Sequence, residues 1–277
     1  MKLSVIVPVY NELHTLDSVL AEVARSLPQV AKEIIVVDDG STDGTREWLA
    51  HTIQPATAEA ELPSMALPSP PPAEFRPVVP TMPLSAGSST VTEQRDRLPA
   101  PVIIRALFHP RNQGKGAALR TGFAAATGEV IVIQDADLEY TPQDWEPMWR
   151  LMAEGRADVV YGSRFYGNPH RVLYFHHFLG NKLITLLVNL LCNTMFTDIE
   201  VCYKMFRAEV LNGLALRCDG FGFEVEFTVK VSRSAHRWRL YESGVSYYGR
   251  TYDEGKKISW KDGFRALGYI IWFRLMG

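Results

Sequence analysis

Short apolar runs rich in β-branched residues alternate with segments of helical periodicity along the first half of this chain. The runs that predict buried strands are residues 3–7, 33–37, 102–107 and 129–134. Helices are predicted at residues 15–27, from a cap at 41–43 to Leu49, and at residues 116–126. Strands that alternate with helices form βαβ units, so we expect an α/β fold with a mostly parallel central sheet and helices on both faces. Ligands of such sheets bind at the carboxyl ends of the strands.

The composition is that of a globular protein with a sizeable core, since 47% of the 277 residues are hydrophobic and 22% are charged. This excludes a disordered chain, a collagen and a disulfide scaffold. A formal net charge of −2 disfavours nucleic acid as a partner. The charge is nevertheless uneven, because residues 1–155 carry 12 Lys or Arg against 20 Asp or Glu, whereas residues 156–277 carry 17 against 11.

Cysteine usage and hydropathy predict a cytosolic protein without a membrane span. The three cysteines, Cys192, Cys202 and Cys218, form no CxxC pair, which is typical of reduced, buried thiols. The N-terminal apolar run is too short for a signal peptide. The apolar stretch at residues 183–197 falls short of the roughly 18 residues that a membrane span needs.

Residues 51–101 interrupt the alternation of strands and helices, and they contain 11 of the 17 prolines. We interpret this segment as an extended or disordered insertion in a surface connection of one domain that spans residues 1–277. A docking segment for a proline-recognition module is the alternative interpretation.

Pairs of aspartates follow two of the predicted strands. Asp135 and Asp137 follow the fourth strand, where two carboxylates can face one hard cation, Mg²⁺ or Mn²⁺, that also binds a substrate phosphate. Asp38 and Asp39 follow the second strand, where a carboxylate can accept hydrogen bonds from ribose hydroxyls or a base. The structural alternatives are a solvated turn for the first pair and a charge at a helix N-terminus for the second.

A glycine-rich segment, RNQGKG at 111–116, precedes the third predicted helix. Two glycines that expose backbone N–H groups, the charge of Lys115 and the dipole of the helix N-terminus together suit a diphosphate. The spacing of a P-loop is absent. A tight turn with an exposed lysine is the alternative.

The order of these motifs resembles a known family. The segments are VIVPVYNE at 5–12, VVDDGSTDGT at 36–45, RNQGKGAALRTG at 111–122 and DADLEYTP at 135–142. Together they resemble the family 2 inverting glycosyltransferases with the GT-A fold, a Rossmann-like sheet. Three later segments resemble the polyprenyl-phosphate branch, which includes dolichyl-phosphate mannose and glucose synthases: YGSRF at 161–165, FGFEVEFTVK at 221–230 and YYGRTYDEGKKISWKDG at 247–263. The resemblance covers nearly the whole chain except the proline-rich insertion.

The resemblance implies roles for individual residues. Those implied at the donor nucleotide are Pro8, Tyr10, Glu12, Asp38, Asp39, Lys115 and Asp135. Asp39 would contact the base or ribose, with Asp38 as its support. Those implied at Mg²⁺ or Mn²⁺ are Asp135, Asp137 and Glu139, and those implied in catalysis are Asp137, Arg164, Arg250 and Glu224. The two arginines would meet acceptor or donor phosphate, and Lys256 and Lys257 would lie in a loop that closes over the site.

The class of acceptor depends on how the nucleophile is activated. A sugar hydroxyl needs a general base, for which Glu224 is the candidate, with packing or pairing to Arg as its alternative role. A lipid monophosphate is largely ionised at pH 7 and needs cations to orient it, which suits the basic second half of the chain. The QxxRW signature of processive synthases is missing, which disfavours a polysaccharide synthase.

Two segments are candidates for contact with a membrane surface. Residues 183–191 are densely apolar at helical spacing, for which core packing is an equal alternative, and residues 256–277 predict a basic amphipathic interface helix. We therefore expect a peripheral enzyme on the cytoplasmic face of a membrane that moves a hexose from a UDP- or GDP-linked donor to a polyprenyl phosphate. A transferase acting on a saccharide hydroxyl and a non-catalytic nucleotide-sugar-binding module are the alternatives. A membrane partner or a homo-oligomer stays open.

Overall fold

The computed structural model describes residues 1–53, 99–167 and 169–251, together with Gly268 and Trp272. Most of the predicted proline-rich insertion therefore lies outside the described residues. The same holds for the predicted interface helix at 256–277, apart from Gly268 and Trp272, and for Lys256 and Lys257.

A seven-stranded sheet in the order β3-β2-β1-β4-β6-β5-β7 forms the centre of the described part. Its strands are β1 (Leu3–Val9), β2 (Lys32–Asp38), β3 (Val102–Phe108), β4 (Val130–Ile133), β5 (Val159–Ser163), β6 (Lys204–Arg207) and β7 (Leu240–Gly244). Strand β6 pairs antiparallel with β4 and β5, whereas the other paired strands run parallel. The predicted α/β fold with a mostly parallel sheet is confirmed.

Six α-helices connect these strands in the described residues. They are α1 (Leu16–Arg25), α2 (Thr45–Thr52), α3 (Lys115–Ala125), α4 (Trp145–Ala153), α5 (Phe175–Cys192) and α6 (Phe223–Ser232). Every residue of β2 and of β4 is buried. Because successive side chains of a strand point to opposite faces, burial along the whole strand means that both faces of the sheet are covered at its centre.

The predicted boundaries differ from the structure by one or two residues at most ends, and two of the differences have a clear physical reason. Strand β1 continues in register through Pro8 to Val9, since it pairs with Val37 and Asp38 of β2. Helix α2 begins at Thr45 after Gly44, whose φ of 97° is left-handed, so the cap predicted at residues 41–43 is wrong. Asp43 still acts on this helix, because its Oδ1 accepts a hydrogen bond of 3.0 Å from the Thr45 N–H.

The amino end of the sheet is held by one buried carboxylate, that of Glu33 in β2. It accepts hydrogen bonds from Ser4 Oγ at 2.6 Å, from the Thr127 N–H at 2.6 Å and from Arg105 Nη2 at 2.7 Å, and Lys2 Nζ lies 3.3 Å away. Burial alone would raise the pKa of Glu33, but the hydrogen bonds from Ser4 and Thr127 and the charge of Lys2 lower it to about 2. The ionised group therefore stabilises the junction of β1, β2, β3 and the turn before β4.

At the opposite edge, strands β1, β2 and β4 end side by side. Residues 8–12, 38–41 and 134–139 follow these three strands, and residues 109–114 lead from β3 into α3. Parallel neighbours present their carboxyl ends at one edge, so the motifs that are far apart in sequence converge there.

Candidate active site

A cavity of about 1150 Å³ opens at the carboxyl ends of β1, β2 and β4. The predicted site residues that line it are Pro8, Tyr10, Glu12, Asp39, Lys115, Asp135, Asp137, Glu139, Arg164, Glu224 and Arg250. Asp38 is fully buried beneath it and does not line it. The structure therefore brings eleven of the twelve described candidates to one cavity, although the role of each stays a prediction.

Asp39 connects the loop after β2 to the glycine-rich loop before α3. Its Oδ1 accepts from the Gln113 N–H at 2.9 Å and its Oδ2 from the Gly114 N–H at 2.7 Å, while His109 Nδ1 lies 2.7 Å from Oδ1. A carboxylate has about four lone-pair sites, so three of them are used by the protein. Its predicted contact with the base or ribose would use the remaining site.

Asp38 holds the loop after β2 through its own hydrogen bonds, and its role at the nucleotide site stays a prediction. Its Oδ1 accepts from the Ser41 N–H at 3.2 Å and its Oδ2 from Arg46 Nη1 at 3.1 Å. Since it has no exposed surface, Asp38 shapes the loop that carries Asp39.

The glycines of the RNQGKG segment serve close packing. A Cβ at Gly114 would lie 2.3 Å from the Asp219 carbonyl oxygen, and one at Gly116 would lie 2.1 Å from that of Cys218. The φ of 100° at Gly114 also favours glycine. Because the Gly114 N–H is bonded to Asp39, the expectation that this N–H is open to a diphosphate is wrong.

Three carboxylates that follow β4 form what we call the carboxylate cluster: Asp135, Asp137 and Glu139. Arg250 Nη2 lies 2.9 Å from Asp137 Oδ2 and 3.5 Å from Glu12 Oε1. Burial, followed by the charges of Asp135 and Glu139, raises the pKa of Asp137 to about 7 against the opposing charge of Arg250. The cluster therefore holds more negative charge than its arginine neutralises.

Glu139 ties the cluster to the segment after β7. Its Oε1 accepts from the Arg250 N–H at 2.8 Å, and its Oε2 accepts from the Tyr247 hydroxyl at 3.1 Å. Both oxygens thus have protein partners, which gives Glu139 a tethering role in the structure. Its predicted role as a metal ligand stays a prediction.

A chain of alternating buried charges runs from the cluster into the core. Lys115 Nζ lies 2.8 Å from Asp135 Oδ1 and 3.3 Å from Glu224 Oε1, and the other oxygen of Glu224 accepts from the fully buried Lys204. Burial opposes the charged form of Lys115, but the Asp135 and Glu224 carboxylates outweigh it and raise its pKa above the usual value. Glu224, the candidate base, is therefore an ion-pair partner of two lysines.

Arg164 is held by a carboxylate that the sequence analysis missed. Its Nε and Nη2 donate to Asp198 at 2.7 and 2.8 Å, and Asn181 donates to the same carboxylate at 2.9 Å. The guanidinium carbon lies 5.2 Å from the centre of the Tyr247 ring. A bidentate pair fixes the plane of the guanidinium, so Arg164 lines the cavity in a set orientation.

Glu200 and Cys202 were not predicted as site residues, although an alternation of residue types before β6 could have indicated them. Ile199, Val201 and Tyr203 are fully buried, whereas Glu200 and Cys202 between them line the cavity. A period of two predicts a segment with one face on the core and one on a site, and the chain reaches this arrangement here with bends at residues 199, 200 and 202.

The far end of the cavity is aromatic. Its wall there is formed by residues between β5 and the middle of α5: Phe165, His170, Val172, Leu173, Tyr174, Phe175, His176, His177, Phe178, Leu183 and Ile184. We call this set the aromatic end.

Helix α5 packs one face on the core and exposes another. Ile184, Thr185 and Val188 are buried. The spacing of four, four, three and four residues places an exposed apolar row along the other side, which we call the apolar stripe: Phe175, Leu179, Leu183, Leu186 and Leu190. Core packing therefore applies to one face of this helix, and contact of the exposed face with a membrane stays a prediction. Among residues 1–53, 99–167 and 169–251, no helix is long and apolar enough to cross a membrane.

The donor set of the carboxylate cluster was tested against the predicted metal. No group of three or more His, Cys, Asp or Glu side chains arranged to hold a metal ion occurs in the part of the chain that the structure describes. Mg²⁺ and Mn²⁺ are commonly held by one or two carboxylates and completed by substrate phosphates. Asp135 and Asp137 both line the cavity and supply two carboxylates of the kind such a site uses, and their role as metal ligands stays a prediction.

The sequence matches the model of a known protein family. The model of "Glycosyl transferase family 2" matches residues 4–57 and 87–214, which include the motifs after β1, β2 and β4. The chain belongs to this family. The predicted membership is therefore confirmed from more than half of the sequence.

Curated relatives of this family 2 chain are polyprenyl-phosphate sugar transferases. The dolichol-phosphate mannosyltransferase of Pyrococcus furiosus is 25% identical, over 100% of this chain and 64% of its own length. The undecaprenyl-phosphate mannosyltransferase of Micrococcus luteus is 26% identical, over 92% of this chain and 87% of its own. The chain thus spans less than two thirds of the Pyrococcus protein. These relatives confirm the resemblance to the polyprenyl-phosphate branch.

Solved structures of similar fold include glucosyl-3-phosphoglycerate synthase from Mycobacterium tuberculosis in complex with Mn²⁺, UDP and phosphoglyceric acid. It is 16% identical, with a TM-score of 0.62 over 99% of this chain and 78% of that one. A complex of the same enzyme with Mn²⁺ and UDP-glucose gives a TM-score of 0.59 at 18% identity. These similarities confirm the predicted GT-A fold.

Proposed function

We propose that this family 2 chain transfers a hexose, with inversion, from a UDP- or GDP-linked donor to a polyprenyl phosphate. The observation that carries the proposal is that one cavity has a charged end and an aromatic end. The carboxylate cluster with Lys115 suits a metal-bound diphosphate, and the aromatic end leads to the apolar stripe of α5. The names of the Pyrococcus and Micrococcus relatives support the acceptor class.

The residues divide the work between donor and acceptor. Asp135 and Asp137 hold Mg²⁺ or Mn²⁺, which when bound supplies charge stabilisation to the departing nucleoside diphosphate. The solved Mycobacterium enzyme contains Mn²⁺ or Mg²⁺ with UDP, which supports a divalent cation of this kind. Lys115 adds a fixed positive charge beside Asp135, on the donor side of the cavity.

The acceptor phosphate lies toward Arg164 in this proposal. Asp198 fixes the guanidinium of Arg164, so it can orient a phosphate without reorganising during the reaction. An ionised phosphate oxygen attacks the anomeric carbon in line and needs no general base. The pairing of Glu224 with two lysines supports a positioning role for it and gives no support to a hydroxyl acceptor.

Peripheral binding at the cytoplasmic face of a membrane is part of the proposal. A polyprenyl chain is insoluble in water, so its phosphate is met at the bilayer surface. The apolar stripe supplies exposed side chains that can enter the interface there, with Leu190 71% exposed and Phe175 74% exposed.

A donor panel tests the proposal. The full chain is assayed with UDP- and GDP-linked hexoses, a short polyprenyl phosphate, and Mg²⁺ or Mn²⁺, and the lipid product is separated and identified. We expect transfer to the lipid phosphate with one donor, dependent on the metal and inverted at the anomeric carbon. Transfer only to free sugars would overturn the acceptor class, and binding of a donor without any transfer would favour the non-catalytic module.

A further inference from the structure

Glu200 occupies a special place in the cavity wall. Glu200 and Cys202 both line the cavity, and the segment before β6 bends at each of them. Cys202 interacts with Asp135 of the carboxylate cluster, and this charge, after burial, raises the pKa of its thiol. Glu200 lies two residues before Cys202 and two residues after Asp198, which holds Arg164. The groups that act on its carboxyl include Arg164 on the acceptor side and Glu224, which pairs with Lys115 on the donor side.

The carboxyl of Glu200 differs from its acidic neighbours because it lacks a partner. Its Oε1 is buried and has no hydrogen-bond partner in the described part of the chain. Asp198 is instead paired with Arg164 and Asn181. Glu224 Oε1 also lacks a hydrogen bond, but it lies 3.3 Å from Lys115 Nζ. An unpartnered buried carboxyl is unfavourable to folding, so its presence in the wall of a cavity points to a partner that arrives with a ligand.

The charged groups around Glu200 narrow the chemistry of that ligand. Burial is the largest cause that raises the pKa of Glu200 to about 7, and the charges of Glu224 and Asp198 act in the same direction. The charges of Lys204 and Arg164 oppose this shift. A phosphate would be repelled by a carboxylate at this position. Hydroxyl groups donate to carboxyl oxygens without such repulsion, and a hexose is the polyhydroxyl part of the donor.

We propose that Glu200 binds a hydroxyl group of the transferred hexose and so takes part in selecting the sugar, an inference that rests on the proposed function. The hexose must lie between the diphosphate and the acceptor phosphate, and Glu200 lines the cavity with Arg164 and Glu224 as neighbouring charges. Glu200 is thus a binding residue for the donor sugar, distinct from the groups that hold the nucleotide or the metal.

The test compares the wild-type chain with Glu200→Ala and Glu200→Gln, with Glu154→Gln as a control. Glu154 is a surface residue that pairs with Arg156 and lies outside the cavity. Each protein is assayed with the preferred nucleotide hexose, with its monodeoxy analogues, and for binding of the free nucleoside diphosphate with Mn²⁺. Thermal unfolding checks the fold, and we expect no loss of stability because the replaced carboxyl has no partner.

Glu200→Ala should lower kcat/KM for the parent donor by about 10- to 100-fold, the effect of one hydrogen bond to a charged group. For the analogue that lacks the contacted hydroxyl, the wild type and the variant should be equal, and binding of the free nucleoside diphosphate should not change. The kcat/KM of Glu200→Gln for the parent donor should lie between the values of the wild type and of Glu200→Ala, since the amide oxygen still accepts a hydrogen bond. Three outcomes would overturn the inference. They are equal losses of kcat/KM for the parent donor and every analogue, weaker binding of the nucleoside diphosphate, and a change confined to the KM for the acceptor.

Failure of the proposed function would be recognised separately. If no lipid phosphate accepts sugar, binding of UDP-glucose and GDP-mannose is compared with binding of UDP and GDP by calorimetry. Weaker binding of a sugar nucleotide by Glu200→Ala, with binding of the nucleoside diphosphate unchanged, would keep the inference although the acceptor class had failed. Absence of that difference, or of sugar-nucleotide binding by the wild type, would overturn it.

Discussion

Glu33 and Asp137 are carboxylates of the same sheet, one at its amino end and one at its carboxyl end. The side chain of Glu33 is 3% exposed and that of Asp137 is 18% exposed, yet their pKa values move in opposite directions, to about 2 and about 7. Burial raises both values. Glu33 then receives hydrogen bonds from Ser4 and Thr127, whereas Asp137 meets the like charges of Asp135 and Glu139.

The difference shows what separates a structural carboxylate from a site carboxylate in this fold. At the amino end, the partners of Glu33 come from the protein, so its charge stabilises the folded state. At the carboxyl end, negative charge exceeds what Lys115 and Arg250 neutralise, and the surplus is available to a cation that comes with substrate. Mutations should therefore separate stability from activity at the two ends.

The largest effect should follow Asp137→Asn, which we expect to abolish metal-dependent transfer. The amide removes one of the two charges that fit Mg²⁺ or Mn²⁺ and should reduce kcat at least about 1000-fold, since the metal contributes several kcal/mol to the transition state. Product formation is measured across a range of Mn²⁺ concentrations. Asp17→Asn, an equivalent change at an exposed position of α1, is the control. Near-normal turnover by Asp137→Asn would remove this residue from the metal site.

Lys204→Met tests the buried chain of charges that joins the carboxylate cluster to the core. Its removal leaves one oxygen of Glu224 without its lysine, and breaking a buried pair in this way costs about 3–5 kcal/mol of the free energy of unfolding. Urea denaturation measures the loss. The double variant Lys204→Met/Glu224→Gln should recover part of it, because the uncompensated charge is then gone. A single variant as stable as the wild type would show that Lys204 does not support Glu224.

Glu33→Gln should lower stability and leave activity unchanged, the reverse of what we expect for Asp137→Asn. We expect the free energy of unfolding at pH 7 to fall by about 1–3 kcal/mol, because the charged acceptor for Arg105, Ser4 and Thr127 is lost. Transfer activity per folded molecule should stay unchanged, since Glu33 lies at the far end of the sheet. Urea denaturation and the transfer assay are run on the same preparation. Lost activity in a folded Glu33→Gln protein would contradict the separation of the two ends.

The acid limb of the stability curve gives a second measure of Glu33. Its pKa lies below the unfolded value of 4.5, so its stabilisation is present above pH 4.5 and is lost as the pH falls toward 2. The urea midpoint of the wild type should therefore decrease over this window, and the gap between the wild type and Glu33→Gln should close. A gap that is constant from pH 7 to pH 2 would contradict the lowered pKa.

Sequence reasoning predicted the carboxyl end of the sheet better than the connections between its charges. The acidic residues after β2 and β4 follow strand patterns directly, so their convergence at one edge follows from parallel topology. The partners of those residues depend on tertiary packing and could not be predicted in this way. The bond from Gly114 to Asp39 joins residues 75 positions apart, and the pair of Lys204 with Glu224 joins β6 to α6.

The later half of the fold was harder to predict for a related reason. Strand β6 has four residues and runs antiparallel between β4 and β5, and such a short run carries little periodicity. Glu200, which lines the cavity, and Asp198, which holds Arg164, come before β6 rather than after it, because the reversed direction of β6 brings its amino end to the site edge. The rule that places ligands after strands therefore missed them.

The smallest expected effect concerns the apolar stripe. Leu186 and Leu190 are 53% and 71% exposed and lie one turn apart on α5. Their replacement by Ser should weaken binding to vesicles of equal parts phosphatidylcholine and phosphatidylglycerol by about tenfold, since each Leu would bury only part of its surface in the interface. Sedimentation with the vesicles measures this, and Ile103→Ser, at an exposed position of β3, is the control. Equal binding by both variants and the wild type would exclude the stripe from the membrane contact.

The replacement of Leu186 and Leu190 should leave transfer to a short, water-soluble polyprenyl phosphate unaffected. Both leucines lie outside the cavity wall, and this substrate does not have to be met at a bilayer.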